Sequence, residues 1–197
     1  DGSGGVAGYL YLSQTRKPAT GRHDLAISDL AFTTPEAGRE LLGFLAGFGT
    51  MADSVVLHGA PLHPIANLLP QQSFEVTKRD YWMLRITDLP RAITMRGYPN
   101  GLRTSFTLSI SDALVPRNAG LWRISIDAGR ATAERLDEAG SDSRAVQADI
   151  RGFAGIYSGL YTARQAAMIG AASGDEPAIA AMDSVFSGGT PWMSDMF

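Results

Sequence analysis

Runs of apolar residues in the first third of the chain predict short elements of alternating type. Val6 to Ser13 reads V-A-G-Y-L-Y-L-S behind a Gly/Ser-rich flank and predicts a strand. Gln14 to Arg22 is polar and carries Pro18 and Gly21, so the chain turns there. Leu25 to Phe32, L-A-I-S-D-L-A-F, alternates in part and predicts a second strand that pairs with the first as a hairpin. Thr34-Pro35-Glu36 is a helix start: Thr34 can cap, Pro35 fits the first helical position, and Glu36 favours the positive end of the dipole. Helical spacing of Leu41, Leu42, Leu45 and Phe48 carries that helix to about Gly47. Ser54 to His58 predicts a short buried strand, and Pro64 to Leu69 one or two helical turns before Pro70. The first unit is therefore β-β-α-β-α.

Beyond Pro70 the pattern changes. Phe74 to Thr87, with Tyr81, Trp82, Leu84 and Ile86, predicts a long strand, and Asp88 starts a short helix ending near Gly97. Leu102 to Asp112 alternates, with Phe106, Leu108 and Ile110 on one side and Ser105, Thr107, Ser109 and Ser111 on the other. Leu121 to Asp127 and Arg130 to Leu136 are strands joined at Ala128-Gly129, and Arg144 to Asp149 is a fifth. Helices follow over 150–157, 163–169 and 175–186, the last stopping at Gly188-Gly189. Consecutive strands followed by terminal helices predict an α+β layer, an antiparallel sheet with helices on one face.

Bulk composition narrows the function classes. The 197 residues allow one large or two small domains, and 45% apolar content is ordinary. Charged residues are 19%, which leans slightly towards some surface being covered. The net charge is −3 and the 17 basic residues form no stripe, which argues against a nucleic-acid partner. The absence of cysteine excludes disulfides, thiolate metal sites and thiol nucleophiles, and fits a cytoplasmic protein. No apolar run approaches the roughly 20 residues of a membrane span. The start, Asp1-Gly2-Ser3-Gly4-Gly5, has neither a signal-peptide pattern nor Met, so the chain reads as cut from something longer; initiator processing or a chosen boundary gives the same start.

Most candidate chemistry has an ordinary explanation. His58 and His63, five apart around Gly59 and Pro61, lack the spacing that puts two ligands on one helix face, and with His23 they read as structural histidines rather than metal ligands. There is no G-x-S-x-G, and neither Gly4-Gly5 nor Gly188-Gly189 is a phosphate loop. Asp24 and Asp29, five apart on one strand, point to opposite faces and so do not share acid/base work. Tyr81, Trp82, Trp122 and Trp192 are core residues before they are a ligand cavity. The tail is less ordinary. Trp192, Met193, Met196 and Phe197 fall within the last eight residues, where a free end is normally polar. Burying the Phe197 ring would carry the α-carboxylate inward and raise its proton affinity. A tail that docks only for stability, or packs on a neighbouring subunit, would have the same composition.

These residues resemble a family. L-A-F-T-T-P-E-A-G-R-E-L-L-G-F-L (Leu30 to Leu45) is similar to the second GNAT-like region of Eis-type N-acetyltransferases. Further matches are V-P-R-N-A-G-L-W-R-I (Val115 to Ile124), Asp149 to Tyr161 with I-Y-S-G-L-Y, and M-D-S-V-F…P-W-M-S-D-M-F at the end. The resemblance implies a catalytic GNAT domain, a second GNAT-like domain and a sterol carrier protein-like domain. This chain corresponds to the last two: 1–72, a GNAT-like α/β domain lacking the cofactor loop, and 73–197, an antiparallel sheet with helices on one face. It implies acetyl transfer from acetyl-CoA to amines, aminoglycosides among them. It also implies a general base at the terminal carboxylate of Phe197, with Met196, Asp195 and Trp192 at the substrate pocket, and a hexamer. The family's general acid, a tyrosine, belongs to the first domain.

GNAT enzymes hold pyrophosphate on a Gly-rich loop opening onto a helix N-terminus. Only Thr33 and Thr34 separate the strand from the helix here, and Gly38-Arg39 lies inside that helix. Acetyl-CoA is therefore expected on the N-terminal GNAT domain, the chain's first partner, and this chain alone is not expected to be active. The rival readings are a lipid-binding module and an oligomerisation scaffold without chemistry.

Overall fold

The computed structural model describes residues 4–60, 63–71, 73–137 and 145–193. The chain divides into two compact units, Asp1–Arg79 with Trp192–Phe197, and Asp80–Pro191.

In the first unit, β1 (Gly8–Arg16) and β2 (His23–Phe32) form the expected antiparallel hairpin. A bulge inserts Ser28 into β2, so that Tyr11 faces Asp29 while Leu12 faces Ile27. The extra residue resets the alternation, and Leu25, Ile27 and Leu30 are all buried. It also overturns one expectation. Asp24 and Asp29 share the exposed side of the strand, because a bulge adds one step to a period of two.

The helix α1 (Pro35–Ala46) starts as the sequence predicts, with the Thr34 hydroxyl accepting from the Ala37 N–H at 3.2 Å and Pro35 in the first turn. Leu41, Leu42 and Leu45 pack with Leu10, Ile27 and Leu30 against the hairpin. Gly38 lets the helix come close, since a Cβ there would strike the Leu68 and Phe32 side chains. α1 is the crossover that brings β3 (Ala52–Leu57) parallel to β2, in the order β1-β2-β3. A 3₁₀ turn follows at Pro64–Leu68.

Two strand expectations fail on burial and pairing. β3 was expected to be buried, yet Val55 is 45% and Val56 43% exposed, because among the described residues β3 is an edge with one neighbour. Phe74 to Thr87 belongs to no ladder among the described residues, and Phe74, Val76 and Met83 are exposed. Its side chains alternate as those of a strand do, while among the described residues no ladder includes it.

The second unit opens with α2 (Leu89–Met95), capped by Asp88, whose carboxylate accepts from the Arg91 N–H at 3.0 Å. Its sheet comprises β4 (Thr104–Ser111), β5 (Gly120–Asp127), β6 (Arg130–Leu136), β7 (Val146–Asp149) and the two-residue β8 (Ala172–Ser173), in the order β6-β5-β4-β7-β8. The β5–β6 hairpin turns at Ala128 and Gly129, with φ of 47° and 78°, the left-handed pair that tight hairpins need. Three pairings are antiparallel, and β7 runs parallel to β4. β7 enters beyond β4 rather than beside β6, so no hairpin dictates its direction.

Helices α3 (Ile150–Ser158), α4 (Ala163–Met168) and α5 (Glu176–Phe186) are capped by Asp149, Thr162 and Asp175. They and α2 pack on the face of the sheet that carries Phe106, Leu108, Trp122 and Ile124. Phe186 sits at the centre, its ring 5.6 to 6.4 Å from those of Phe153, Tyr157, Tyr98 and Phe106. The opposite face is polar, as the hydroxyl contact of Ser105 with Ser125 at 3.2 Å shows.

Candidate functional site

The start of α1 is where a phosphate cradle would lie, and its residues do not fit one. Pro35 has no N–H, the Ala37 N–H is taken by the Thr34 hydroxyl and the Gly38 N–H by the Thr34 carbonyl at 3.1 Å. Only the Glu36 N–H remains in the first turn, beside that residue's own carboxylate. A pyrophosphate needs several converging N–H groups and no competing anion. This chain's residues therefore do not fit acetyl-CoA at this helix.

Charged side chains around the β1–β2 turn and the start of β3 neutralise one another. Lys17 bridges Asp24 at 2.8 Å and Asp53 at 3.3 Å, and Arg22 pairs with Asp53 and donates to the Ala52 carbonyl at 2.7 Å. The Ser54 hydroxyl donates to Asp24 at 2.6 Å. Hydrogen bonds from Lys17 and Ser54 hold the Asp24 carboxyl below its usual value. Asp29 instead accepts from the Tyr9 hydroxyl at 2.9 Å, so the two acids are held apart by different partners. His63 Nδ1 accepts from the Ile65 N–H at 3.3 Å, a structural cap, and burial pushes its pKa down.

Of the proposed substrate-pocket residues, only Trp192 is described, and it is 45% exposed; Met193 beside it is 38% exposed. Asp195, Met196 and Phe197 lie outside the described residues. Of the other aromatic candidates, Trp122 is buried in the core, and Tyr81 and Trp82 are exposed.

The feature that sequence reasoning did not find is a buried polar hub in the second unit. Asn118 is fully buried. Its Oδ1 accepts from the Leu89 N–H at 2.9 Å, and its Nδ2 donates to the Ile86 carbonyl at 3.2 Å and to Asp112 at 3.0 Å. Its own carbonyl accepts from the Trp122 indole at 2.9 Å. Asp112 is further held by Arg85 and by the Leu114 and Val115 N–H groups at 3.1 and 3.0 Å. Burial alone would raise the Asp112 carboxyl, but the bonds from Asn118, Val115, Arg85 and Leu114 outweigh it and bring its pKa down to about 2. Such a carboxylate has no proton to give near neutral pH. The hub ties the segment at 85–89 to the loop at 112–118, and its role is to hold the unit together. P-R-N followed by Trp was visible in the sequence, but that Asn118 points inward was not.

A second buried arrangement surrounds Arg96. Its guanidinium lies 5.2 Å from the ring centroids of Tyr157 and Phe186 and 6.0 Å from that of Tyr98, and it donates to the Tyr157 carbonyl. The Tyr98 hydroxyl donates to the Ile93 carbonyl at 2.8 Å, and burial pushes its pKa up to about 12 against the opposing charge of Arg96. A tyrosine so held keeps its proton near neutral pH. Above the end of α5 a small open pocket of about 130 Å³ is lined by Tyr161, Thr162, Asp183 and Phe186, among others. Asp183 is already engaged by the N–H groups that open α4.

Two family models match the chain in succession. Residues 1–86 match the acetyltransferase (GNAT) domain, and residues 89–194 match the sterol carrier protein domain. A solved GCN5-related N-acetyltransferase from Anabaena variabilis superposes with a TM-score of 0.87 at 30% identity, over 97% of this chain and 47% of its own. A GCN5-related N-acetyltransferase from Kribbella flavida gives 0.79 at 25% identity, over 95% and 46%. Eis1 from Mycobacterium abscessus gives 0.71 at 24% identity, over 96% and 49%, a likeness of fold. The chain spans about half the length of these solved structures. No curated protein matches it. An α+β chain that opens on an acetyltransferase (GNAT) match thus belongs, through residues 89–194 and more than half its length, to the sterol carrier protein domain family.

Proposed function

We propose that this chain is the C-terminal part of an acetyl-CoA-dependent N-acetyltransferase acting on amines of the aminoglycoside type. The observation that carries the proposal is the succession of a GNAT match over 1–86 and a sterol carrier match over 89–194. The superposition of nearly the whole chain on solved GCN5-related N-acetyltransferases supports it. Because the start of α1 does not fit the cofactor, acetyl-CoA falls to an N-terminal GNAT domain of the same polypeptide. The terminal carboxylate of Phe197 is the proposed general base, accepting the proton that the amine sheds. Trp192, Asp195 and Met196 wall the acceptor pocket. A hexamer in the cytoplasm completes the proposal, on the resemblance of the sequence alone. A carrier of apolar ligands is not favoured, since Phe186 and the rings around it fill the space between sheet and helices.

The test is deletion of Phe197 from the full-length polypeptide. The deletion moves the terminal carboxylate back to Met196, about 3.5 Å along the chain, and misplacing the general base lowers kcat by about 10²–10⁴-fold, with acetyl-CoA affinity and assembly unchanged. Full turnover after the deletion ends the general-base role.

A further inference from the structure

The two edges of the first unit's sheet are built differently. β1 ends in Ser13-Gln14-Thr15-Arg16, polar residues that discourage pairing. β3 carries Ser54-Val55-Val56-Leu57 with no Pro or Lys, and its register shift against β2 falls at Asp53, before this run. Consecutive apolar residues on a parallel strand are the mark of a strand covered on both faces. Val55 and Val56 point to opposite faces and both are exposed. β3 pairs with β2 on one side, and among the described residues nothing pairs with its other side. Downstream in the same unit, Phe74 and Val76 repeat the pattern, alternating, exposed and outside any ladder.

We propose that the outer edge of β3 is filled by an extended strand of the N-terminal acetyltransferase polypeptide. This rests on the proposed function. Solved relatives are about twice the length of this chain, so in them the unmatched half is there to supply such a strand. The occupant is apolar on both faces, to cover Val55 on one and Val56 on the other. It brings no compensating charge, because Asp24 on the neighbouring β2 and Asp53 near the start of β3 are already paired with Lys17 and Arg22.

The test is hydrogen–deuterium exchange on the full-length polypeptide, this chain preceded by whatever its reading frame encodes, beside this chain alone. Those amides of 54–57 that point away from β2 exchange at least about 100-fold more slowly in the longer protein if a strand covers them. Equal rates overturn the proposal. So does a homodimer of this chain alone that dissociates on Val56→Lys while the longer protein gains no protection, which gives the edge to a second copy. Acetyl transfer assayed on the same samples separates the two ideas. Protection without transfer upholds the strand and removes the acetyltransferase reading. Transfer without protection removes the strand and keeps the acetyltransferase.

Discussion

Replacing Asn118 by alanine removes the centre of the buried hub. Three side-chain hydrogen bonds disappear, leaving the Leu89 N–H, the Ile86 carbonyl and one oxygen of Asp112 without this partner. A buried group left unsatisfied costs about 1–3 kcal/mol. Three such groups cost roughly 3–6 kcal/mol once some water enters the space. A domain's whole stability is only about 5–15 kcal/mol. For a unit of the size of Asp80–Pro191, each kcal/mol lowers Tm by about 4 °C. Asn118→Ala therefore lowers the Tm of this unit by roughly 12–24 °C, read by far-UV circular dichroism. Ser105→Ala, which removes an exposed hydroxyl on the polar face, is the control and stays within about 0.5 kcal/mol of the parent. A drop below about 4 °C for Asn118→Ala, or one no larger than the control's, refutes the view that the hub holds the unit together.

The other predictions concern the same unit. Asp112 has a folded pKa of about 2 against an ordinary 3.8, so its stabilising effect is complete above 3.8 and is lost as pH falls through 2. Asp112→Asn flattens that part of the Tm-against-pH curve, and an unchanged slope refutes the assignment. Phe186→Ala empties the centre of the aromatic cluster and costs about 3–5 kcal/mol, measured by urea unfolding; a cost under about 1 kcal/mol refutes the packing. Gly152→Ala in α3 drives a Cβ into the Ala171 carbonyl oxygen. The variant loses about 1–3 kcal/mol although helix propensity alone favours alanine by about 1 kcal/mol; a raised Tm refutes the close approach.

The chain by itself determined its local structure. Thr34-Pro35-Glu36 and Asp88 announce helix starts because capping needs only a side chain and the next few N–H groups. Ala128-Gly129 announces its hairpin, and Phe106, Leu108 and Ile110 their buried face, for the same short-range reason. Tertiary structure decided what depends on distant partners. It left Phe74 to Thr87 outside any ladder, turned β7 parallel to β4, placed β3 at an edge, and moved Asp29 to the side of Asp24 through one bulge residue. It also gathered Arg85, Asp112, Asn118 and Trp122 into one hub. Alternation states which side chains want burial but not which backbone lies alongside. A buried asparagine looks in sequence like any surface one, until a helix N–H arrives from 29 residues away.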